Sequence, residues 1–296
     1  MKKAYIKLHI ALLLAGFTGI FGRLITLNEG LLSWYRLLIS AIGMFLFLIV
    51  TGRMSAVNNK GKLHIAVAGA LLGFHWLFFY GSIKYANISV GVVCFALTSF
   101  FNAVMAPLIN KKKFSAAELL LSSLTLLGIS LIFGLDAGYR TGIILGIISS
   151  TFGALYTIYN ERLVQKFTSE MIILYQMFGG LAALTLVMPL FLMISPAKSL
   201  LPSITDFGWL LVLSLLCTLL LYFLITGALR HISSFTVSLT FNLEPLYTIL
   251  LAILIYKENK VLSIGFYAGL MLIVISVILQ MYRVAFRPKA VPTKAN

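Results

Sequence analysis

Runs of about twenty apolar residues alternate along the whole chain with short polar stretches built from Lys, Arg, Pro or Asn/Ser clusters. At about 1.5 Å per residue, some 20 apolar residues carry a helix across the ~30 Å hydrocarbon core of a bilayer. The pattern predicts ten transmembrane helices, over 6–26, 32–51, 63–83, 87–109, 115–134, 141–161, 170–194, 207–229, 233–256 and 261–281. The first run follows Lys2, Lys3 and Lys7, as the core of a signal peptide would, but it extends to about Thr26 without an A-x-A pattern. It is read as a retained transmembrane helix. Residues 286–296 read as a polar cytoplasmic tail. The expected fold class is an all-α polytopic membrane protein.

Composition supports this class and excludes others. Hydrophobic residues make up 60% of the 296 positions and charged residues 10%, against about 45–50% and about 25% in a soluble domain. A soluble enzyme, a disordered chain and a disulfide-stapled domain are all excluded. Cys94 and Cys217 lie inside apolar runs and read as small buried hydrophobes. There is no disulfide framework and no Cys/His metal spacing, so neither metal nor cofactor is expected.

The net charge of +15 would suggest nucleic acid in a soluble protein. Here the positive residues sit between apolar runs and read as topology signals, since cytoplasmic loops retain Lys and Arg. With the N-terminus inside, sixteen of the 23 Lys and Arg fall in inside segments, among them Lys111-Lys112-Lys113. Lys84, Arg140, Lys198, Lys257 and Lys260 fall outside, and Arg23 and Arg36 lie within helices. The split places both termini in the cytoplasm of a multi-pass protein of the cytoplasmic membrane. No nucleic-acid partner is expected.

The chain also repeats itself. Residues 79–115 match 225–261 at a constant offset: Gly81 with Gly227, Lys84 with Arg230, Phe95 with Phe241, Leu97 with Leu243, Ala106 with Ala252 and Lys111 with Lys257. Just upstream Trp76 meets Tyr222, and Tyr35-Arg36 is echoed by Tyr175-Gln176. Two five-helix halves are expected, 1–137 and 138–285. Five is odd, so the second half is inverted in the membrane, a construction that places a substrate site near the midplane between the halves.

The second half carries Leu221-Tyr222, Gly227-Ala228-Leu229-Arg230, Ser233-Ser234, Leu243-Glu244-Pro245, Lys257-Glu258 and then Gly265 and Gly269. The first carries Tyr35-Arg36 and Tyr80-Gly81-Ser82-Ile83-Lys84-Tyr85. With ten spans in two halves, this chain resembles the EamA-type transporters of the drug/metabolite transporter superfamily across almost its whole length. It departs from their usual form in Ser99, where the repeat's Pro would fall, and in Lys257-Glu258 rather than Gly-Glu. The resemblance implies a transporter that exports amino acids, other metabolites or drugs.

Candidate site residues follow from the cost of burying charge. An Asp, Lys or Arg at a helix centre costs about 2.5–3.5 kcal/mol, so one found there faces a cavity or a partner. Glu244 lies roughly 16 Å into its span at 1.5 Å per residue, and Pro245 beside it predicts a structural kink. Glu244 is a candidate for binding an amine or a proton, or for an interhelical hydrogen bond. Arg36 suits a carboxylate or phosphate, pairing with Glu244, or snorkelling to headgroups. His75 is a candidate proton carrier or a packed histidine. Trp76 and Tyr222 suggest aromatic walls, with Tyr80 on the face of Trp76. Thr98, Ser99, Asn102, Tyr175, Gln176, Thr240 and Asn242 are polar midspan residues expected to face the interior. Glu118, Asp136, Glu161, Glu170, Asp206 and Glu258 fall at span ends, where solvation or capping is expected. Gly138, Gly142 and Gly146, Gly69 and Gly73, and Gly265 and Gly269 are spaced for close helix approach, within a monomer or in a homodimer.

The expected function is secondary transport of a small organic metabolite, an amino acid or relative, by alternating access, with protons as the candidate coupling ion. A broad drug exporter is a close variant. A membrane-embedded enzyme is a separate alternative, but the chain has no H-E-x-x-H, no G-x-S-x-G and no P-loop.

Overall fold

The computed structural model describes residues 2–111, 113–133, 137–241, 243–257 and 264–285. All regular structure among them is helical. The chain runs through α1 (Lys2–Leu24), α2 (Glu29–Thr51), α3 (Asn59–Tyr85), α4 (Ile88–Phe95), α5 (Leu97–Asn110), α6 (Ala116–Phe133) and α7 (Arg140–Leu163). It continues with α8 (Ser169–Ile194), α9 (Ile204–Ser214), a π-helical turn Leu215–Leu220, α10 (Leu221–Leu229), α11 (Ser234–Phe241), α12 (Glu244–Tyr256) and α13 (Ile264–Ala285). Asparagines set several starts: Asn28, Asn58 and Asn87 each accept a hydrogen bond from the backbone N–H three residues on. Gly52 closes α2 in the left-handed conformation, at φ 63°.

Among the described residues, seven stretches are long and apolar enough to cross a membrane: α1, α2, α3, α4 with α5, α7, α8 and α9 through α10. Three more apolar stretches are shorter, Ala116–Gly128, Tyr247–Tyr256 and Tyr267–Ser276. The expectation of ten uninterrupted spans is corrected at the ninth, 233–256, which is two helices, α11 and α12. Pro245 does not kink a continuous helix; it stands in the first turn of α12. A proline there forgoes an N–H that has no intrahelical partner, and its fixed φ suits helix initiation. The span predicted over 87–109 is likewise divided at Ala96, between α4 and α5. These divisions fall at equivalent places. Ile88–Phe95 and Ser234–Phe241 share the repeat offset at both ends, and Lys111 and Lys257, which share it too, close α5 and α12 with φ of 52° and 56°.

Polarity is distributed inside out. Arg36, Asn102, Asn160, Gln176 and Glu244 are buried, whereas Val50, Leu186, Met193 and Ile264 are exposed. A surface so apolar needs lipid as its solvent. With no hydrophobic drive between helices in lipid, close packing and interhelical hydrogen bonds hold them together. Gly69 and Gly73 of α3 lie directly against α8 at Gln176 and Gly180. Gly142 and Gly146 of α7 back onto Ala86 and Cys94, and Gly128 of α6 meets Gly269 of α13. These glycines therefore serve contacts within one chain. Thr125 and Ser276 add a 2.9 Å hydrogen bond to the α6–α13 seam.

Two glycine variants test this packing. A Cβ on Gly69 would collide with the Gln176 carbonyl, whereas one on Gly208 meets nothing within 4 Å. Gly69→Ala is expected to cost about 1–3 kcal/mol. Gly208→Ala, in a helix interior, should gain roughly 0.5–1 kcal/mol. Thermal unfolding of the purified protein in detergent reads both.

Candidate functional site

Helices α1, α2, α3, α7, α10 and α11, the end of α4 and the starts of α5 and α12 converge on a cavity of about 80 Å³. Arg36, His75, Trp76, Tyr156, Tyr222 and Glu244 line it, with hydroxyls from Thr18, Thr98, Thr157 and Ser238. A space of this size holds a few waters or part of a small solute.

Arg36 is 2% exposed and clamped in place. Its Nε donates to the Thr218 hydroxyl at 2.7 Å, its Nη1 to the Tyr80 hydroxyl at 2.7 Å, and its Nη2 to the Cys217 carbonyl at 2.9 Å. Its Cζ also lies 3.7 Å from the centre of the Trp76 ring, a cation–π contact worth about 2 kcal/mol when desolvated. Two of the three acceptors, Thr218 and the Cys217 carbonyl, come from the π-helical turn, where widening of the i→i−4 ladder leaves carbonyls for other donors. Thr218 within that turn bonds back to the Leu213 carbonyl, five residues earlier, at 2.9 Å. Ser40 and Ser214 exchange hydrogen bonds with the facing backbones at 3.3 Å and complete the α2–α9 seam.

Glu244 is 4% exposed and opens α12. Leu243 N–H donates to the Thr240 carbonyl at 3.0 Å and closes the preceding turn, and Pro245 starts the next helix. The carboxylate thus stands in a first helical turn, where the aligned peptide dipoles favour negative charge. Thr248 fixes this turn, donating to the backbone carbonyls of Glu244 and Gly16. Arg36 and Glu244 face one cavity without forming an ion pair, so neither side chain satisfies the other.

Trp76 and its repeat mate Tyr222 meet edge to face at 5.8 Å, and Tyr156 packs edge-on against Tyr222 at 5.9 Å. His75 lines the cavity while its Nδ1 lies within hydrogen-bond distance of the Ser149 hydroxyl, at 2.9 Å, and the Ser149 carbonyl, at 3.1 Å. Other expected site residues stand behind the wall. Tyr80 holds Arg36 from outside the cavity. Asn102 donates to Ser238 at 3.1 Å and accepts from Ser234, which also donates to Glu161. Gln176 forms a ring with Asn160 and the Tyr156 hydroxyl. Tyr175 does not line the cavity; its ring lies under the Lys62 ammonium. Asn242, Asp136 and Glu258 lie outside the described residues.

Tyr156, Ser149 and Thr218 were missed in the sequence. Tyr156 has an aromatic neighbourhood as its only signal, and Thr218 serves only because of a π-helical turn that no spacing announces. Asp206, expected to be solvated or capping, is buried and accepts two hydrogen bonds from Thr26, at 2.9 and 2.6 Å. Glu161, beside Ser234, lines a second, wider cleft of about 630 Å³ with Arg162, Lys166 and Arg230.

The model of the EamA-like transporter family matches residues 2–134 and again 140–282. An uncharacterized transporter of Haemophilus influenzae is 27% identical over 241 residues, covering 76% of this chain and 74% of the relative. The uncharacterized transporter YdfC of Bacillus subtilis is 29% identical over 253 residues, covering 84% and 79%. One crystal structure superposes with a TM-score of 0.71 over 97% of this chain and 99% of the other, at 14% identity, which shows a common fold.

The Arg36 clamp makes a stability prediction. A lysine in its place cannot satisfy acceptors in three directions at once. Arg36→Lys is expected to cost about 1–3 kcal/mol by orphaning buried acceptors, and Thr218→Val about 0.5–1.5 kcal/mol. Unfolding midpoints followed by tryptophan fluorescence in detergent check both.

Proposed function

We propose that this chain, which belongs to the EamA-like transporter family, is a secondary transporter of small organic metabolites, amino acids or close relatives, in the cytoplasmic membrane. One observation carries the substrate class: Arg36 and Glu244, which form no ion pair with each other, share a small cavity walled by Trp76, Tyr156 and Tyr222. A guanidinium suits a carboxylate and a carboxylate suits an ammonium. The two together favour a zwitterion over a singly charged or neutral solute.

In this reading the ten-span, two-repeat architecture holds, with division at about residue 137 and both termini cytoplasmic. The double family match and the shared helix ends at 88–95 and 234–241 support it. Alternating access then moves one half against the other about the Trp76–Tyr222 contact. The gate toward the cleft of Glu161, Arg162 and Arg230 is a thin polar layer, Ser238–Asn102–Ser234–Glu161, which separates the cavity from that cleft by a short series of hydrogen bonds. The two bonds made by Asn102 are neutral, about 0.5–1.5 kcal/mol each, and suit a contact that must break every cycle; the Ser234–Glu161 bond, to a carboxylate, is the stronger anchor on the cleft side. Glu244 is the group that couples a proton or receives the substrate ammonium.

Purified protein in proteoliposomes is expected to exchange radiolabelled amino acids without ATP. Glu244→Gln should lower flux at least about tenfold, roughly 1.4 kcal/mol of lost interaction, and flatten its pH dependence. Trp76→Leu should lower it less. Unchanged flux and pH profile in Glu244→Gln would remove that residue from the mechanism, and absence of flux across amino acids would overturn the substrate class.

A further inference from the structure

Thr98 stands at the place in the first half that Glu244 holds in the second. The repeat offset that pairs Phe95 with Phe241 and Leu97 with Leu243 also pairs Thr98 with Glu244. Both lie in the first turn of a helix that follows an interruption, α5 after Ala96 and α12 after the end of α11. Both line the central cavity, and they are 2% and 4% exposed. The repeat thus brings two matched helix starts to one cavity, one bearing a hydroxyl and the other a carboxylate.

Four aliphatic hydroxyls belong to the cavity wall, and three are engaged. Thr18 donates to the Ala15 carbonyl, Thr157 donates to the Gly153 carbonyl at 2.8 Å, and Ser238 accepts from Asn102 at 3.1 Å. The Thr98 hydroxyl has no partner among the described residues. A helical threonine commonly returns its hydroxyl to the carbonyl four residues back. That carbonyl, of Cys94, instead accepts from Ser150 on α7 at 2.7 Å. Gly153, also on α7, leaves space beside the hydroxyl. A Cβ there would stand 3.2 Å from the Phe95 ring, 3.3 Å from His75 Nδ1 and 3.5 Å from the Thr98 hydroxyl. Gly153 lines the cavity too, so this notch is part of its wall. His75 Nδ1 is held by Ser149, which leaves Thr98 as the unanswered polar group at the notch.

A buried hydroxyl without a partner is costly, and a solute that supplies a partner recovers the cost. A hydroxyl both donates and accepts, so a hydroxyl, amide or carbonyl group on the solute can answer it. A hydrocarbon group of the same shape fills the same space and leaves the hydroxyl unanswered, a difference on which such sites discriminate strongly.

We propose that Thr98 is a specificity-determining residue for transport: its hydroxyl engages a polar group on the solute's side chain at the Gly153 notch, while Arg36 and Glu244 hold the zwitterionic end. The proposal rests on the reading of the central cavity as a site for amino acids.

The test uses the full chain in proteoliposomes and two isosteric pairs, L-threonine against L-valine and L-serine against L-α-aminobutyrate. Within each pair a hydroxyl is exchanged for a methyl. Carried in competition, the hydroxylated member is expected to be favoured at least about fivefold. Thr98→Val, which keeps the shape and removes the hydroxyl, should bring both ratios to within about twofold of unity, and Thr98→Ser, which keeps the hydroxyl, should preserve them. The unfolding midpoint of Thr98→Val should not fall, because the hydroxyl it removes has no partner to lose. Ratios near unity in the unaltered chain, ratios unchanged in Thr98→Val, or ratios lost in Thr98→Ser as well would overturn the proposal and leave the amino-acid reading standing. A lowered midpoint in Thr98→Val would mark a structural hydroxyl and overturn it too. Absence of flux for all four solutes would overturn the amino-acid reading and this proposal together.

Discussion

A guanidinium enclosed by protein in a lipid-facing bundle must find its partners within the fold, and Arg36 finds them without a carboxylate. Three donors go to Thr218, Tyr80 and the Cys217 carbonyl, and the flat face rests on Trp76. Each partner belongs to a helix that bounds the central cavity or backs it. The constraint ties α2, α3 and the α9–α10 segment into one assembly and leaves the positive field undischarged. Had Glu244 closed onto Arg36 as an ion pair, the cavity would hold a neutral contact and little to recognise.

The opposing charge is positioned by different means. Glu244 owes its place to an interruption: α11 ends, α12 begins on Pro245, and the carboxylate stands at a helix start within the protein rather than on a continuous helical face. The same interruption occurs in the first half at Ala96, where no acid or proline follows. The two halves thus share a backbone plan but differ in chemistry, and the site draws its cation from a helix of the first and its anion from the second.

Much of this was legible in the sequence. Apolar run lengths located nearly every helix, because spanning hydrocarbon leaves few other solutions. The scarcity of buried charge singled out Arg36 and Glu244, and the repeat offset joined Trp76 to Tyr222 before their rings were seen to touch. What stayed hidden depends on three-dimensional register. Gln176 looked like a cavity residue because it is polar and midspan, yet it is consumed in holding Tyr156. Tyr175, one position away, turns to another face of the same helix.

The π-helical turn at Leu215–Leu220 has a consequence for the history of this chain. Such a turn accommodates one residue more than an α-helix of the same rise, and each residue advances a helix by about 100°. Everything after it, Tyr222 and Ile225 included, is rotated relative to an uninterrupted α9. Loss of a single codon here would straighten the helix without breaking it and swing the aromatic wall away from the cavity. A one-residue gap at this place in a relative would therefore mark a remodelled interior, even where all other motifs are retained.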